Sequence, residues 1–370
     1  MSSDMIGLIN LESDSSLREL NEERPLATVP IGGKFRLIDF TLSNLVNAGI
    51  NNVGILLPLQ ARSILDHVRS GREWGLARKG DGLFYLPVDW KDVNNPVEGD
   101  IRLYYKNLLF VSHSSKPYIL LTGGDMVQNI DYDEVLHFHR RHNADVTMIY
   151  QKQREAFNGE AHVLQVNEQN KVVGIYAKAA VAAGDNMYQR GILIDSAVFQ
   201  QCIRKAYGKG YHYFISDVLQ RNIDRLRVFG YPYEGYAKRV SSIESYYQVN
   251  MDLLDHDTWR KMFQQYQRHI YTKIKDVTPA KYMEESSVCH SLVANGCIIE
   301  GRVENSIIFR KVHIGRNAVV RNSIIMQHSV IGDDAQMDYV ICDKDALIQP
   351  EATLSGTQGH PMCIGKCRVI

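Results

Sequence analysis

A 17-residue register in the last quarter of the chain restricts the fold more than any other feature. Apolar residues open segments that start 17 residues apart, and the fourth residue after each of them is small. These segments are CIIEGRV, IGRNAVV, IGDDAQM and IQPEATL, which start at positions 297, 314, 331 and 348. Short strands at this period suit a parallel β-helix, whose corners admit only small side chains. A β-sandwich would not keep the register, so we expect a β-helix with flat faces free for subunit contact.

The first two thirds of the chain alternate between short apolar segments and segments of helical period. Expected strands cover residues 5–10, 52–57, 117–123, 144–150 and 191–196, and expected helices cover residues 37–49, 101–112 and 132–144. This alternation predicts an α/β domain with a parallel sheet and helices on both faces. Ligands of such sheets bind at the carboxyl ends of the strands.

The chain is too long for one compact core, because single cores usually stop growing at about 250–300 residues. Its 370 residues divide into an α/β domain over 1–241, a helical linker over 242–285 and the β-helix over 286–370. The linker segment 242–266 has helical spacing throughout and is expected to form a helix.

Composition excludes several classes of partner. The 42 basic and 42 acidic residues balance, so no overall field favours nucleic acid or an anionic membrane. The first residues contain neither a basic region nor an apolar run long enough for a signal peptide or a membrane span, which makes the cytoplasm the expected location. The six cysteines are scattered apart from CIGKC, and free thiols are expected rather than a metal site.

The loop after the first strand is unusual. Residues 7–36 read GLINLESDSSLRELNEERPLATVPIGGKFR. Loops at this position often hold nucleotide phosphates and are then rich in glycine and basic side chains. This loop instead carries Glu, Asp and Ser.

Several long stretches resemble the ADP-glucose pyrophosphorylase (glucose-1-phosphate adenylyltransferase) family. They are VPIGGKFRLIDFTLSNLVNAGINNVGILL, LLTGGDMVQNIDY, FISDVL and SIESYYQVNMDLL. The resemblance covers nearly the whole chain. It implies a Rossmann-like nucleotidyltransferase domain with a mostly parallel sheet, followed by a linking helix and a left-handed parallel β-helix.

The resemblance also shows where this chain departs from the family. The family holds the nucleotide triphosphate with a loop of the form AGGRGTRL, and an ungapped count from the double glycine places residues 10–16 on it. This degenerate loop includes Leu11, Glu12, Ser13 and Asp14, and Leu26 stands where the family has a lysine. A carboxylate about 4 Å from a phosphate charge is repelled by roughly 4 kcal/mol at an effective dielectric of 20. The triphosphate side is therefore expected to be disabled.

Two aspartates match metal-binding positions of the family. Asp125 corresponds to its catalytic aspartate and Asp217 to its second metal-binding carboxylate, and such a pair can place a magnesium ion. Alternatively, Asp125 caps a turn and Asp217 lies near a helix start, where an acid is favourable. We expect both positions to be vestigial, with Mg²⁺ bound only if catalysis persists and no other cofactor. The family's WRDVGT segment reads AKRVSS here, which places Arg239 at an acidic position.

The family's sugar-phosphate lysine is retained as Lys178, although its neighbouring glutamate is Ala177. In relatives, sugar phosphates or phosphate bind between the two domains near basic residues of the N-terminal loop. Arg18 and Lys34 are the corresponding effector candidates for a sugar phosphate or nucleotide. Both could equally be solvated surface charges.

The leading hypothesis is a catalytically deficient partner subunit, similar to the second, non-catalytic pyrophosphorylase subunit that some bacteria use in glycogen synthesis. Such a subunit would assemble with the catalytic one, as a mixed tetramer, and alter its activity. One alternative is an active adenylyltransferase in which Arg18, Arg24, Lys34 or Arg36 supplies the missing charge. A remote alternative is a hexapeptide-repeat acyltransferase that uses one histidine, and the candidates are His290, His313 and His328.

Overall fold

A computed structural model describes residues 4–11, 17, 20–88 and 99–370. The N-terminal domain contains thirteen described strands. They are β1 Met5–Asn10, β2 Pro30–Ile31, β3 Phe35–Arg36, β4 Val53–Leu56, β5 Leu83–Leu86, β6 Tyr118–Gly123, β7 Met126–Gln128, β8 Val146–Lys152, β9 Ala161–Val166, β10 Val172–Lys178, β11 Asn186–Asp195, β12 Val228–Pro232 and β13 Ala237–Arg239. The described α-helices are α1 Leu37–Asn47, α2 Arg62–Val68, α3 Ile101–Lys106, α4 Leu108–Ser112, α5 Tyr132–Arg141, α6 Ser196–Gly208, α7 Ile243–Asp252 and α8 His256–Phe263.

The main sheet places β1 at its centre. Its strands follow the order β10-β9-β11-β6-β1-β4-β5, and β8 joins β11 to β12. β1 pairs in parallel with both β4 and β6, and the sequence MIGLIN is apolar along most of its length because the strand is buried on both faces. The expected α/β domain with a mostly parallel sheet is confirmed.

One expected parallel strand runs the other way. Residues 191–196 largely belong to β11, which is antiparallel to β6 and to β8. β11 follows β9 and β10, which were not predicted, and β9 and β10 also pair antiparallel. Antiparallel neighbours need only short connections, so this part of the sheet does not follow the helix-linked pattern of the rest.

Two predicted helices are interrupted. Residues 101–112 form α3 and α4, which meet at Asn107. The linker residues form two helices, α7 and α8. The second helix has its own N-terminal cap, because the Asp255 carboxylate accepts a hydrogen bond from the Thr258 amide at 2.8 Å. An aspartate that caps a new helix start favours a break over one continuous helix.

The C-terminal strands form three five-stranded parallel sheets, as expected for a left-handed β-helix. Face 1 contains Lys281–Tyr282, Ile298–Ile299, His313–Ile314, Val330–Ile331 and Leu347–Ile348. Face 2 contains Ser287–Cys289, Arg302–Glu304, Val319–Arg321, Gln336–Asp338 and Thr353–Ser355. Face 3 contains Leu292–Val293, Ile307–Ile308, Ile324–Ile325, Val340–Cys342 and Met362–Ile364.

The register differs from the expectation in one coil. Ile314, Ile331 and Ile348 stack in register, but Ile299 rather than Cys297 pairs with Ile314. The corner after Ile299 is short, because only residues 300 and 301 separate it from the next strand, whereas residues 315–318 fill the corresponding corner one coil later. The 17-residue period therefore begins one coil later on face 1.

The small corner residues have a steric cause. A Cβ on Gly301 would lie 2.3 Å from the carbonyl oxygen of Ala318, and Ala318 is itself fully buried. Asn305 and Asn322 adopt the left-handed conformation at another corner, with φ of 45° and 46°. Their side chains stack, and Asn305 Nδ2 donates to Asn322 Oδ1 at 2.7 Å.

Face 3 packs against the rest of the molecule. Its outward isoleucines Ile307, Ile324 and Ile341 share one buried cluster with Phe35 and Tyr246. Tyr247 Oη, on α7, donates to the carbonyl oxygen of Asn322 at 2.8 Å. This contact fixes the β-helix to the N-terminal domain. Among the described residues, no helix is both long and apolar enough to cross a membrane.

Candidate functional site

Asp125 lies at the carboxyl edge of the sheet, between β6 and β7. The ends of β1 and β6 meet here, because Asn10 pairs with Gly123. Gly124 provides the space that the neighbouring loop needs, since a Cβ there would lie 2.5 Å from Leu11 Cδ2 and 2.9 Å from Ala27 Cβ. The sheet therefore places Asp125 where ligands of parallel sheets usually bind.

Both oxygens of the Asp125 carboxylate face arginines. Oδ1 lies 3.3 Å from Arg190 Nε and Oδ2 lies 3.0 Å from Arg239 Nε, while only 2% of the aspartate side chain is exposed. Burial alone would raise the pKa of Asp125, but the guanidinium groups of Arg190 and Arg239 outweigh it and the pKa is lowered. The carboxylate is thus charged and flanked by two cations.

The surrounding backbone holds these arginines in place. Arg239 ends β13, which pairs with β7 beside Asp125, and its Nη1 donates to the Glu160 carbonyl oxygen at 2.7 Å. Arg190 lies in an irregular part of β11 with φ of 54°. Burial, followed by the charges of Arg190 and Arg239, lowers the pKa of nearby His162 to about 4. The pocket therefore contains a neutral imidazole at neutral pH.

The structure does not bring Asp217 to Asp125. The Asp217 carboxylate accepts hydrogen bonds from the His212 and Tyr213 amides at 3.1 and 3.0 Å, and it lies 3.5 Å from Arg221 Nη2. Asp217 lies within the short helix Phe214–Leu219 and binds the two amides that precede it. These amides lower the pKa of Asp217, as expected for a carboxylate that accepts backbone hydrogen bonds.

Magnesium does not fit the residues around Asp125. Hard divalent cations require several oxygen ligands, and both oxygens of this carboxylate already face guanidinium groups. Across the described ranges, no group of three His, Cys, Asp or Glu side chains could hold a metal ion. The retained aspartates therefore do not form a magnesium site in this structure.

The described part of the degenerate loop is apolar and buried. Leu11 and Leu26 are 5% and 4% exposed, and Leu26 packs with Phe35 and Phe40. Glu12, Ser13, Asp14 and the effector candidate Arg18 lie outside the described residues. Lys178, the sugar-phosphate candidate, forms an ion pair in which its Nζ lies 2.6 Å from Asp185 Oδ2.

A second site lies between the N-terminal domain and the β-helix. It is a cleft of about 410 Å³, and its lining is Leu20, Glu22, Glu23, Arg24, Arg36, Ser63, Asp343, Lys344, Gly365, Lys366, Cys367 and Arg368. Arg24 Nη2 crosses the boundary and contacts both Asp343 oxygens, at 2.8 and 2.7 Å. Lys366 pairs with Glu23 at 3.0 Å. These two ion pairs fasten the N-terminal loop to the last coils.

Some cations of this interdomain cleft have no carboxylate partner. Arg36 Nη1 donates to the Ser63 carbonyl oxygen at 3.1 Å, and no described carboxylate forms an ion pair with Lys344 or Arg368. Burial, followed by the neighbouring charges of Arg36 and Arg24, lowers the pKa of Lys344 to about 7. A cluster of this kind attracts an anion.

The other candidates from the sequence are placed as follows. Lys34 is exposed, and its Nζ lies 4.8 Å from the centre of the Phe35 ring. His290 and His328 occupy left-handed corners of the β-helix and contact Asn305 and Asp345. His313 Nε2 lies 2.8 Å from Glu300 Oε1 on face 1. The histidines thus have structural partners within the β-helix.

Sequence reasoning missed Arg190, Lys344 and Arg368. Arg190 reaches Asp125 from a strand whose direction was mispredicted. Lys344 and Arg368 reach the cleft only because the coils place them beside Arg24 and Arg36. The one sequence signal for the cleft is the cationic character of the last segment, KCR at 366–368.

Comparison with known families identifies both halves of the chain. Residues 14–256 match the nucleotidyl transferase family, and residues 277–358 match the GlmU-like, C-terminal hexapeptide family. The chain is 34% identical over 363 residues to the glycogen biosynthesis protein GlgD of Bacillus subtilis (strain 168), which covers 98% of this chain and 96% of that protein.

Two further relatives are a second GlgD protein and a glucose-1-phosphate adenylyltransferase. The chain is 38% identical over 368 residues to the glycogen biosynthesis protein GlgD of Geobacillus stearothermophilus, with 99% of this chain and 97% of that protein covered. It is 32% identical over 318 residues to the glucose-1-phosphate adenylyltransferase of the same organism, with 83% and 80% covered. The chain therefore belongs to the nucleotidyl transferase family that contains the glucose-1-phosphate adenylyltransferases and the GlgD glycogen biosynthesis proteins.

Proposed function

We propose that this protein serves glycogen synthesis as a catalytically deficient partner subunit of a glucose-1-phosphate adenylyltransferase. Two relatives that span nearly the whole chain are named glycogen biosynthesis protein, and a third is named for the adenylyltransferase reaction. The observation that carries the proposal is the closure of Asp125 by Arg190 and Arg239.

This closure opposes catalysis for a physical reason. Nucleotidyl transfer depends on positioning and neutralising phosphate charge, and a metal ion usually bridges the phosphate oxygens. Here the acid that would hold the metal is paired internally, and Leu11 and Leu26 are buried apolar side chains at positions where the family binds phosphate. Each 1.36 kcal/mol lost from transition-state stabilisation slows a reaction about tenfold. The loss of several such interactions supports a role other than catalysis.

Face 1 of the β-helix supports assembly with a partner. Its outward ladder includes Ile298, Val330 and Leu347, which are 42%, 36% and 42% exposed. Val369 extends this apolar strip, since it bridges to Leu347 and is 60% exposed. The equivalent ladder of face 3 is buried against the N-terminal domain. His313 separates Ile298 from Val330 in this ladder, so the continuous apolar strip consists of Val330, Leu347 and Val369. Exposed apolar strips commonly mark protein contacts, so we propose face 1 as the contact surface for the catalytic subunit in a mixed tetramer.

The interdomain cleft supports regulation. Its unpaired cations, Arg36, Lys344 and Arg368, suit a phosphorylated effector such as a sugar phosphate or nucleotide. Lys34, the effector candidate from the sequence, is not among the residues that line this cleft. In this proposal, an effector would bind between the domains and alter the activity of the partner.

The test compares the purified chain alone with the chain mixed with the glucose-1-phosphate adenylyltransferase of the same cell. We expect no measurable ADP-glucose formation by the chain alone, and a complex of defined mass in which the rate or effector response of the enzyme changes. A rate near 1 s⁻¹ or more for the chain alone, which is the low end of typical enzymes, would refute the deficiency. Absence of any complex would refute the partner role.

Single substitutions locate the contact surface and address the active alternative. Val330→Asp should weaken the complex, whereas Gln336→Asp, on face 2 of the same coil, should leave its mass unchanged.

Asp125→Ala should leave subunit function largely intact if the proposal holds, and should abolish activity if the chain is an enzyme. Two of the arginines that this alternative needs for the nucleotide phosphates lie in the interdomain cleft, where Arg24 is paired with Asp343 and Arg36 lines the wall, which disfavours the alternative.

A further inference from the structure

We infer that Arg239 is a built-in replacement for a divalent cation at Asp125, so that the site excludes Mg²⁺ and Mn²⁺ and the charge of the carboxylate is neutralised by the chain itself. This inference deepens the proposed function, because it names what occupies the vestigial metal position. It concerns metal binding by the isolated chain, and it can therefore fail without the partner role failing.

The geometry around the carboxylate supports this assignment. Arg239 Nε lies 3.0 Å from Oδ2 and donates a hydrogen bond to it, so a strong charge-assisted contact already uses this oxygen. Arg190 Nε lies 3.3 Å from the other oxygen. A dication close enough to coordinate Asp125 would lie beside two positive guanidinium groups, and like charges at such distances repel strongly where water is largely excluded.

Arg239 is also held too firmly to move aside. Its Nη1 donates to the Glu160 carbonyl oxygen at 2.7 Å, and the backbone of β13 pairs with Met126, the residue that follows Asp125. Its side chain is only 13% exposed. To admit a metal, the chain would have to break both hydrogen bonds and leave a buried guanidinium group without a partner.

Two described carboxylates, one predicted for the site from the sequence and one paired with Lys178, are already engaged elsewhere. Asp217 is used by the His212 and Tyr213 amides, and Asp185 is used by Lys178 and the Ala182 amide. Substitution of Arg239 by aspartate would remove the excluding cation and would place a second carboxylate next to the first. This single change tests whether Arg239 is the determinant.

The experiment measures Mn²⁺ binding to the full chain by electron paramagnetic resonance. We expect no Mn²⁺ site in the wild type that depends on Asp125. Arg239→Asp should bind one Mn²⁺ at least tenfold more tightly than the wild type, and the added change Asp125→Asn should abolish that gain. Arg227→Asp is the matched control, because Arg227 pairs with Asp145 at 2.6 Å on the surface and its loss should create no Mn²⁺ site.

Two results would overturn the inference. One is a stoichiometric Mn²⁺ site in the wild type that disappears in Asp125→Asn. The other is a folded Arg239→Asp variant with unchanged Mn²⁺ affinity. If Arg239→Asp does not unfold cooperatively in a thermal melt, Arg239→Gln replaces it, since glutamine removes the charge and keeps a hydrogen-bond donor. This variant should still gain Mn²⁺ binding that depends on Asp125, and the absence of that gain would equally overturn the inference.

Discussion

The pocket at Asp125 and the interdomain cleft both contain a buried aspartate beside arginines. They differ in whether the remaining charged side chains have ion-pair partners. In the pocket, two arginines cover one aspartate, and each oxygen of that aspartate is in contact with a cation. In the cleft, Asp343 takes Arg24 alone, and Arg36, Lys344 and Arg368 form no ion pair with any described carboxylate. The pocket, in which two guanidinium groups flank Asp125, therefore repels a metal cation, whereas the cleft keeps three cations without a described carboxylate partner and suits an anion.

The largest effect that would sharpen this comparison is on stability. Arg24→Ala should lower the free energy of unfolding by about 3 kcal/mol, because it leaves the buried Asp343 carboxylate without its cation. Urea unfolding would measure this loss. Arg227→Ala, which breaks a pair whose arginine side chain is 57% exposed, should cost less than about 1 kcal/mol. An equal decrease in the free energy of unfolding in the two variants would show that the Arg24–Asp343 ion pair does not stabilise the contact between the domains.

The second effect is on anion affinity in the cleft. Lys344→Met should weaken sulfate binding at pH 6 at least tenfold, because a charge-assisted hydrogen bond is worth about 1.5–3 kcal/mol. Isothermal titration calorimetry at low ionic strength would measure the affinity. Lys209→Met, on the exposed surface of the N-terminal domain, is the matched control and should leave it unchanged. Sulfate binding that is insensitive to Lys344 would place the anion elsewhere.

The smallest effect is a pH dependence with a definite sign. The pKa of Lys344 is lowered to about 7 in the free protein, and a bound anion should raise it, so binding takes up protons. If the anion raises this pKa by about one unit, sulfate affinity should fall about fivefold from pH 6 to pH 8, since one pKa unit corresponds to 1.36 kcal/mol. Sulfate remains fully ionised over this range, so calorimetry reports only the protein. Affinity that rises with pH would contradict the assignment.

The overall fold was predictable because its signals are local. MIGLIN reads as a buried strand without any knowledge of its partners, and Ile314, Ile331 and Ile348 display the coil period directly. The position of Asp125 followed from the strand before it. The short corner at Glu300 and Gly301 was missed because a gap of two residues is not visible in a periodic pattern.

The arginines at Asp125 were less predictable because they come from distant strands. Arg239 was identified as a substitution for an acid, but its contact with Asp125 depends on the pairing of β13 with β7. Arg190 depends on an antiparallel strand with an irregular register. The cleft depends on how face 3 docks on Phe35 and Tyr246, and packing between domains has no periodic signature in the sequence.

Leu11 packs against Gly124, so a change of Leu11 to the glycine that the family has there would cost stability. Leu11 is only 5% exposed, and removal of a buried leucine side chain typically costs about 2–5 kcal/mol. A return to glycine at this position would therefore lose stability before any phosphate contact was gained. Since proteins are stable by only about 5–15 kcal/mol, a loss of this size is a large share of the total, so Leu11 now serves the packing of the domain.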